Sequence, residues 1–191
     1  MASIASQTSI ANLALTGLGA DSIISLSEDS QNARRINAVW DLIRDEVLRS
    51  HTWHFAKERR EFTLLADAPA FGYSSAFQIP GDVIRILETE YDYEWKIEGD
   101  QVICNEDVFN CLCLIRVTDT TKWDTAFVTL FAARLEAELA YSITNTRTIQ
   151  ADRWDVYTKK LRETKAYNAQ EGSLTELQAN TWLLSRTGGA E

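Results

Sequence analysis

The sequence predicts an α+β protein in which helices at both ends of the chain flank a stretch of short β-strands. On both sides of the segment 58–117, apolar residues recur every three or four positions, which is typical of amphipathic helices. Inside that segment the helical period disappears, and short apolar runs alternate with turn residues. Of the 191 residues, 45% are hydrophobic, enough for a packed core, so a disordered chain is excluded.

Two helices are predicted before the β segment. The first is capped by Thr8 or Ser9 and ends at Gly19, which suits the left-handed position after a helix. The second, capped by Asp29 or Ser30, has a continuous apolar stripe. The stripe consists of Ala33, Ile36, Val39, Trp40, Ile43 and Val47. We therefore expect the second helix to be a long core helix.

The middle segment predicts a small antiparallel sheet or partial barrel, because several short strands are separated by turns. The strand candidates are Val83–Leu87, Tyr93–Ile97, Gln101–Cys104 and Cys111–Val117. The second and third flank Glu98-Gly99-Asp100, a hairpin turn, and the last is apolar enough to be central. Before them, Phe62, Leu64 and Leu65 form only a short apolar run.

Two further helices and a tail follow. The third helix is capped by Asp124 or Thr125, has an apolar face widened by alanines, and ends at Asn145. The fourth runs from about Ile149 to Ala169 with a narrower, more polar line, which predicts a peripheral position. After it, the chain contains an isolated apolar cluster that is too short to build a core of its own and needs a partner.

The charge and the ends of the chain exclude several classes of function. The net charge is −9, whereas proteins that grip duplex DNA depend on lysine and arginine. We expect the protein to sit beside DNA without holding it, since like charges repel. No apolar run approaches the ~20 residues of a membrane span. The N-terminal residues lack the features of a signal peptide, so a cytoplasmic product is expected.

The sequence offers weak candidates for a metal site. His51 and His54 have an H-x-x-H spacing, but no third ligand follows, and we interpret them as residues at a helix end. Three cysteines, Cys104, Cys111 and Cys113, argue by their odd number against a disulfide framework. They are interpreted as small buried hydrophobes in the sheet. We therefore predict no metal and no cofactor.

Acidic residues offer pairs of the kind that glycosidases use. The pairs are Asp92 with Glu94, Glu106 with Asp107, and Glu136 with Glu138. A chain with 28 acidic residues always contains such pairs, and no nucleophile elbow, phosphate loop or dinucleotide fingerprint is present. No catalytic residue is predicted. The basic doublets Arg34-Arg35 and Arg59-Arg60 are expected to pair with acids rather than with phosphate.

A succession of motifs covers nearly the whole chain. They are Ile10–Gly19, Ala33–Leu48, Trp53–Ala56, Phe77–Arg85, Phe131–Thr144 and Trp182–Arg186. In this order they resemble the tail tubular protein A family, the head-to-tail adaptor proteins of short-tailed phages. The resemblance lies in the succession, because no single motif is unique to the family. Two departures are His54, where the family usually carries asparagine, and the three cysteines.

The resemblance implies a fold and a role. The fold is an antiparallel bundle of about four helices from 1–57 and 118–171, with an inserted β subdomain at 58–117 and an extended tail at 172–191. The role is that of a structural virion protein in the phage neck, assembled in the host cytoplasm. Twelve copies would form a ring between the portal protein and the tail nozzle, which is tail tubular protein B-like. Phage DNA would pass through the lumen without specific binding, and no membrane is involved.

Two sets of contact residues are expected on this basis. The tail is expected to dock on the portal through Leu177, Trp182, Leu183 and Leu184, with Arg186 pairing with an acid. Twelve weak tails would together supply avidity.

The β insert is expected to face the nozzle through Phe71, Tyr73 and Phe77.

Two other functions remain open as interpretations of the sequence. A tail-associated peptidoglycan hydrolase would need two convergent carboxylates or a metal. A capsid-side scaffolding protein would suit the acidity but would suit the sheet less well.

Overall fold

The computed structural model describes residues 5–171, which form four α-helices and a six-stranded antiparallel sheet. The helices are α1 (Gln7–Gly17), α2 (Gln31–Arg49), α3 (Thr125–Thr144) and α4 (Arg147–Gln170). The strands are β1 (Lys57–Leu64), β2 (Ser75–Gln78), β3 (Val83–Thr89), β4 (Trp95–Glu98), β5 (Gln101–Cys104) and β6 (Phe109–Ile115). The predicted α+β class is confirmed.

Side chains just before the helices satisfy their first backbone N–H groups. Ser6, Ser30 and Asp124 each accept a hydrogen bond from an N–H in the first turn of the helix that follows. The predicted caps at Ser30 and Asp124 are therefore confirmed. The first helix begins earlier than predicted, because Ser6 is its cap rather than Thr8 or Ser9.

The residues that follow α1 and α3 have a left-handed backbone conformation, and neighbouring residues account for it. Gly19 has a φ of 69°, and the N–H of the next residue donates to the carbonyl of Leu15, which closes a Schellman turn. Asn145 has a φ of 53°, and its N–H donates to the carbonyl of Tyr141. Both stops lie where the sequence predicts them.

Helix α3 is the central element of the bundle, since it packs against each of the other three helices. Its buried residues surround the whole helix instead of forming one stripe, which is typical of a fully enclosed helix. They are Phe127, Val128, Leu130, Phe131, Ala132, Ala133, Arg134, Leu135, Ala137, Leu139 and Ala140. Helix α4 lies against α3 and buries only Tyr157 and Thr164, in agreement with its predicted peripheral position.

The strand order of the sheet is β3-β6-β1-β2-β5-β4, and every neighbouring pair is antiparallel. The predicted last strand is indeed internal, because β6 lies between β3 and β1. Strand β1 joins the two halves of the sheet: Lys57–Phe62 pair with β6, and Thr63 and Leu64 pair with β2. Strand β1 begins at Lys57, well before the predicted apolar run at Phe62. An apolar run does not reveal these first residues, because most of their side chains are polar and exposed.

The described residues contain two hydrophobic cores. The first lies inside the bundle and includes Trp40, Trp53, Trp123, Phe127 and Phe131, whose rings contact one another edge-on or stacked. Aromatic pairs of this kind add to the free energy gained from burial alone. The helices therefore stabilise one another around an aromatic cluster.

The second core lies inside the β subdomain and is centred on Phe109. Its ring contacts those of Phe62, Phe77, Tyr93 and Trp95 at centroid distances of 5.4 to 6.0 Å. These rings come from β1, β2, β6, β4 and the loop before β4. One side chain therefore connects both halves of the sheet.

Ion pairs and hydrogen bonds join the sheet to the bundle. Arg116, just after β6, donates to the carboxylate of Asp45 on α2 at 2.8 Å and to the carbonyl of Gly81. Arg49 at the end of α2 donates to the carbonyl of Ile84 on β3. The β subdomain is thus held against the end of α2 by charged side chains with defined partners.

Candidate functional site at the end of the β subdomain

The predicted portal contacts cannot be placed. Leu177, Trp182, Leu183, Leu184 and Arg186 all lie outside residues 5–171, the part of the chain that the structure describes. Helix α4, which precedes them, ends at Gln170, close to the connection between α2 and β1. The predicted nozzle contacts lie within the described residues, in the sheet and its loops.

Three loops lie together at the end of the sheet that is farthest from the bundle. They connect β1 to β2 (65–74), β3 to β4 (90–94) and β5 to β6 (105–108), and we call them the distal loops. The antiparallel register brings them together, and hydrogen bonds join them: the Tyr73 hydroxyl donates to Glu94, and the Ser74 N–H donates to Asn105. The distal loops therefore form one continuous surface.

Phe71 and Tyr73 lie side by side in the first distal loop but have different surroundings. Phe71 is 89% exposed. Tyr73 is held from two sides, since its ring lies under the ammonium of Lys96 at 5.5 Å and its hydroxyl donates to Glu94 at 2.9 Å. The contact with Tyr73, followed by the charge of Glu94, raises the pKa of Lys96. A fixed tyrosine beside an uncovered phenylalanine is suited to contact another protein.

The structure corrects the prediction for Phe77. It lies in the middle of β2, is only 1% exposed, and packs on Phe109 with 5.7 Å between ring centroids. Pairing with β5 turns its side chain into the β core, so it is not available to a partner. Of the three predicted nozzle contacts, Phe71 and Tyr73 therefore lie at the distal surface, whereas Phe77 lies inside the β core.

The distal loops also concentrate negative charge, because they bring together two of the acidic pairs named from the sequence, Asp92 with Glu94 and Glu106 with Asp107. They contain six carboxylates and no lysine or arginine. The carboxylates are Asp67, Glu90, Asp92, Glu94, Glu106 and Asp107. Tyr91, 69% exposed, adds a third aromatic ring to this surface, beside Phe71 and Tyr73. The alternation of acids and tyrosines in Glu90–Glu94 was the available sequence signal, but only the fold brings it beside Phe71.

The cysteines are buried free thiols in the β core. Burial raises the pKa of Cys111 to about 12 and also raises the pKa values of Cys104 and Cys113. These thiols are protonated near neutral pH and are poor nucleophiles and metal ligands. Cys111 and Cys113 share one face of β6, whereas Cys104 lies on β5, which does not pair with β6. Packing accounts for all three.

The histidines lie at the junction of α2 and the sheet. His51 packs edge-on against Trp53, and His54 begins a short 3₁₀ turn, His54–Ala56, before β1. Within the described residues, no group of three histidine, cysteine or acidic side chains is placed to hold a metal ion. The same junction contains an amide, Asn168, whose contacts with His51 are described below.

The acidic pair on α3 is engaged in structural ion pairs. Glu136 accepts from Arg153 at 3.2 Å, and Glu138 accepts from Arg134 at 2.7 Å. Burial raises the pKa of Glu136 despite the guanidinium beside it. One arginine of each basic doublet pairs with an acid as expected: Arg34 pairs with Asp29, and Arg60 forms a bidentate contact with Asp82 at 2.8 Å.

No helix among the described residues is both long and apolar enough to cross a membrane. In the comparisons with known proteins, neither a protein-family model nor a curated protein matches this chain. The distal loops, with Phe71, Tyr73 and the acidic side chains around them, are therefore the features from which a function can be argued.

Proposed function

We propose that this chain is a structural adaptor of a short-tailed phage: one of twelve subunits in a ring that joins the portal protein to the tail nozzle. The observation that carries the proposal is the exposed ring of Phe71 beside the fixed ring of Tyr73, at the end of the β subdomain. An aromatic side chain that is 89% exposed gains free energy when a partner buries it. The nozzle is the partner that we assign to this surface.

The separation of the two predicted contact regions supports the same role. The distal loops lie at one end of the sheet, whereas the segment 172–191 follows α4, which ends near the opposite end of β1. An adaptor has to hold two different partners at once, and separate contact regions allow both to bind without competition. The tail is proposed to bind the portal, and the distal loops the nozzle.

The charge of the protein suits a channel wall for DNA. The net charge of −9 and the six exposed carboxylates of the distal loops repel a polyanion. A ring of such subunits would let DNA slide without retention. This is a proposal about the assembled ring, in which the phage DNA is a passing cargo and not a bound ligand.

Light scattering tests the proposal directly. The purified chain, of 21.6 kDa, is measured alone and after mixing with portal rings. We expect it to add to the portal in a fixed multiple of the subunit mass. Deletion of Leu177–Glu191 should abolish this addition and leave the thermal unfolding midpoint unchanged. A full-length chain that does not associate with portal rings would contradict the adaptor role.

The nozzle contact is tested separately. Phe71→Ala combined with Tyr73→Ala should prevent recruitment of the nozzle protein to portal–adaptor complexes, while binding to the portal persists. Leu42→Ala is a matched control, since Leu42 is an exposed apolar residue on α2, away from the distal loops. Normal nozzle recruitment by the double variant would remove the distal loops from the proposed interface.

The same preparation decides the hydrolase alternative. Glu136 is the acid that a general-acid role would favour, because burial raises its pKa. Its ion pair with Arg153 suits a structural role instead. Release of peptidoglycan fragments by the full-length protein, lost in Glu136→Gln, would favour the hydrolase and count against a purely structural function.

A further inference from the structure

The side chain of Asn168 fastens the end of α4 to the connection between α2 and β1. Its Oδ1 accepts from the backbone N–H of His54 at 3.0 Å. Its Nδ2 donates to the carbonyl of Thr52 at 3.3 Å and lies 3.1 Å from Nε2 of His51. One side chain therefore contacts three positions of the connection, 51, 52 and 54, which lie 114 to 117 residues away in sequence.

The backbone partners decide the hydrogen-bonding roles. A backbone N–H only donates and a backbone carbonyl only accepts, so Oδ1 has to face His54 and Nδ2 has to face Thr52. The Nδ2 group that points at His51 is consequently a donor. His51 can complete the contact only as an acceptor, which requires a neutral imidazole with its proton on Nδ1.

The groups around His51 oppose its protonation. Lys165 on α4, Lys57 on β1, Arg85 on β3 and the neighbouring His54 all contribute positive charge. Partial burial, followed by these charges, lowers the pKa of His51 below its ordinary value of about 6.5. The observed contact and the charges therefore favour the same neutral state.

We propose that Asn168 and His51 form a pH-sensitive latch, which holds the last turn of α4 on the α2–β1 connection and opens when His51 gains a proton. A proton on Nε2 places two donors face to face at 3.1 Å and adds a further positive charge beside Lys57, Lys165 and Arg85. The last turn of α4 leads directly into residues 172–191. The latch thus determines how stably the last turn of α4, from which that segment continues, stays packed on the α2–β1 connection.

Linkage determines the direction and size of the effect. The closed latch disfavours the proton, so closure is complete above the ordinary pKa of histidine and weakens as the pH falls. Between that value and the lower pKa of the closed state, the opening equilibrium rises by up to about tenfold for each pH unit. The rest of α4, which packs on α3 through Tyr157, is not part of the latch.

Hydrogen exchange on the full-length chain tests the latch. Protection factors, corrected for intrinsic exchange rates, are compared at about pH 7.5 and about pH 5. In the wild type, the amides of residues 166–170 should lose protection on acidification, by at most about tenfold for each pH unit below the ordinary pKa of histidine, while those of α3 do not change. An NMR titration of His51 should give a pKa below the ordinary value. Equal protection of residues 166–170 at both pH values would overturn the proposal.

Three variants distinguish the latch from general acid sensitivity. His51→Gln cannot titrate and should abolish the pH response. Asn168→Asp presents a carboxylate that binds the protonated imidazole, so protection should rise on acidification instead of falling. His54→Gln is the matched control, because only the backbone N–H of His54 contacts Asn168. Its protection should still fall on acidification, at a slightly higher pH than in the wild type, because one of the positive charges beside His51 is removed. A wild-type response in His51→Gln would also overturn the proposal.

Discussion

The helical bundle and the distal loops differ in the burial and pairing of their charged and aromatic side chains. In the bundle, the side chain of Arg134 is only 7% exposed, binds Glu46 and Glu138, and stacks on Trp154 at 4.4 Å. In the distal loops, carboxylates accumulate without a cation from the same loops, and Phe71 is left uncovered. The bundle encloses Arg134 between counter-ions and an aromatic ring of its own, whereas the end of the β subdomain leaves Phe71 and six carboxylates exposed to solvent.

The difference follows from the kinds of structure involved. Helix side chains meet partners one turn away and across the helix interface, so buried charges find counter-ions. Short loops offer few neighbours, and their side chains point into water. Phe71, which is exposed on a distal loop, is therefore free to contact another molecule, whereas the buried guanidinium of Arg134 depends on its counter-ions inside the bundle.

The largest expected losses of unfolding free energy come from removing one aromatic ring from each of the two cores. Phe131→Ala removes a ring that contacts Trp40 and Trp123 and should lower the free energy of unfolding by about 3–5 kcal/mol. Phe109→Ala should cost a similar amount, but its loss of hydrogen-exchange protection should be concentrated in the sheet. Urea unfolding and hydrogen exchange measure the two effects. Loss of protection spread equally over bundle and sheet in Phe109→Ala would show that the two cores do not act separately.

An intermediate effect concerns the charges inside the bundle. Glu46→Gln combined with Glu138→Gln leaves the buried guanidinium of Arg134 without a counter-ion and should cost about 3 kcal/mol or more. Arg134→Met removes the charge itself, and both glutamates reach water, so about 1–2 kcal/mol is expected. Urea unfolding of the two variants should give this ranking. The reverse ranking would mean that Arg134 acts mainly through its contacts with Trp154 and Tyr157.

The smallest expected effect on stability concerns the distal surface. Phe71→Ala should change the free energy of unfolding by no more than about 0.5 kcal/mol, because its ring is already in water. Phe77→Ala, from the same aromatic segment, should cost about 3–5 kcal/mol because its ring is buried on Phe109. Thermal unfolding of the two variants provides the comparison. A large loss in Phe71→Ala would show that Phe71 supports the fold and would weaken its assignment to a partner surface.

Features that depend on neighbouring residues could be predicted from the sequence. The caps at Ser30 and Asp124 and the left-handed residue Gly19 all depend on residues within one turn. The hairpin at Glu98-Gly99-Asp100 was located for the same reason, and Gly99 has a φ of 63°. The start of β1 at Lys57 was missed, because its alternating charged residues become a strand only when β6 pairs with them.

The α+β class, the four helices and most of their ends could be read from the residue pattern, as could the acidic and aromatic composition of the middle segment. The packed fold was needed to show that α3 is the central helix, that Phe77 is buried while Phe71 is exposed, and that Asn168 contacts His51 across 117 residues. The physical reason is the distance along the sequence over which the interactions act. Caps and hydrophobic periods act over a few residues, whereas burial and long-range hydrogen bonds depend on which segments the packed chain brings together.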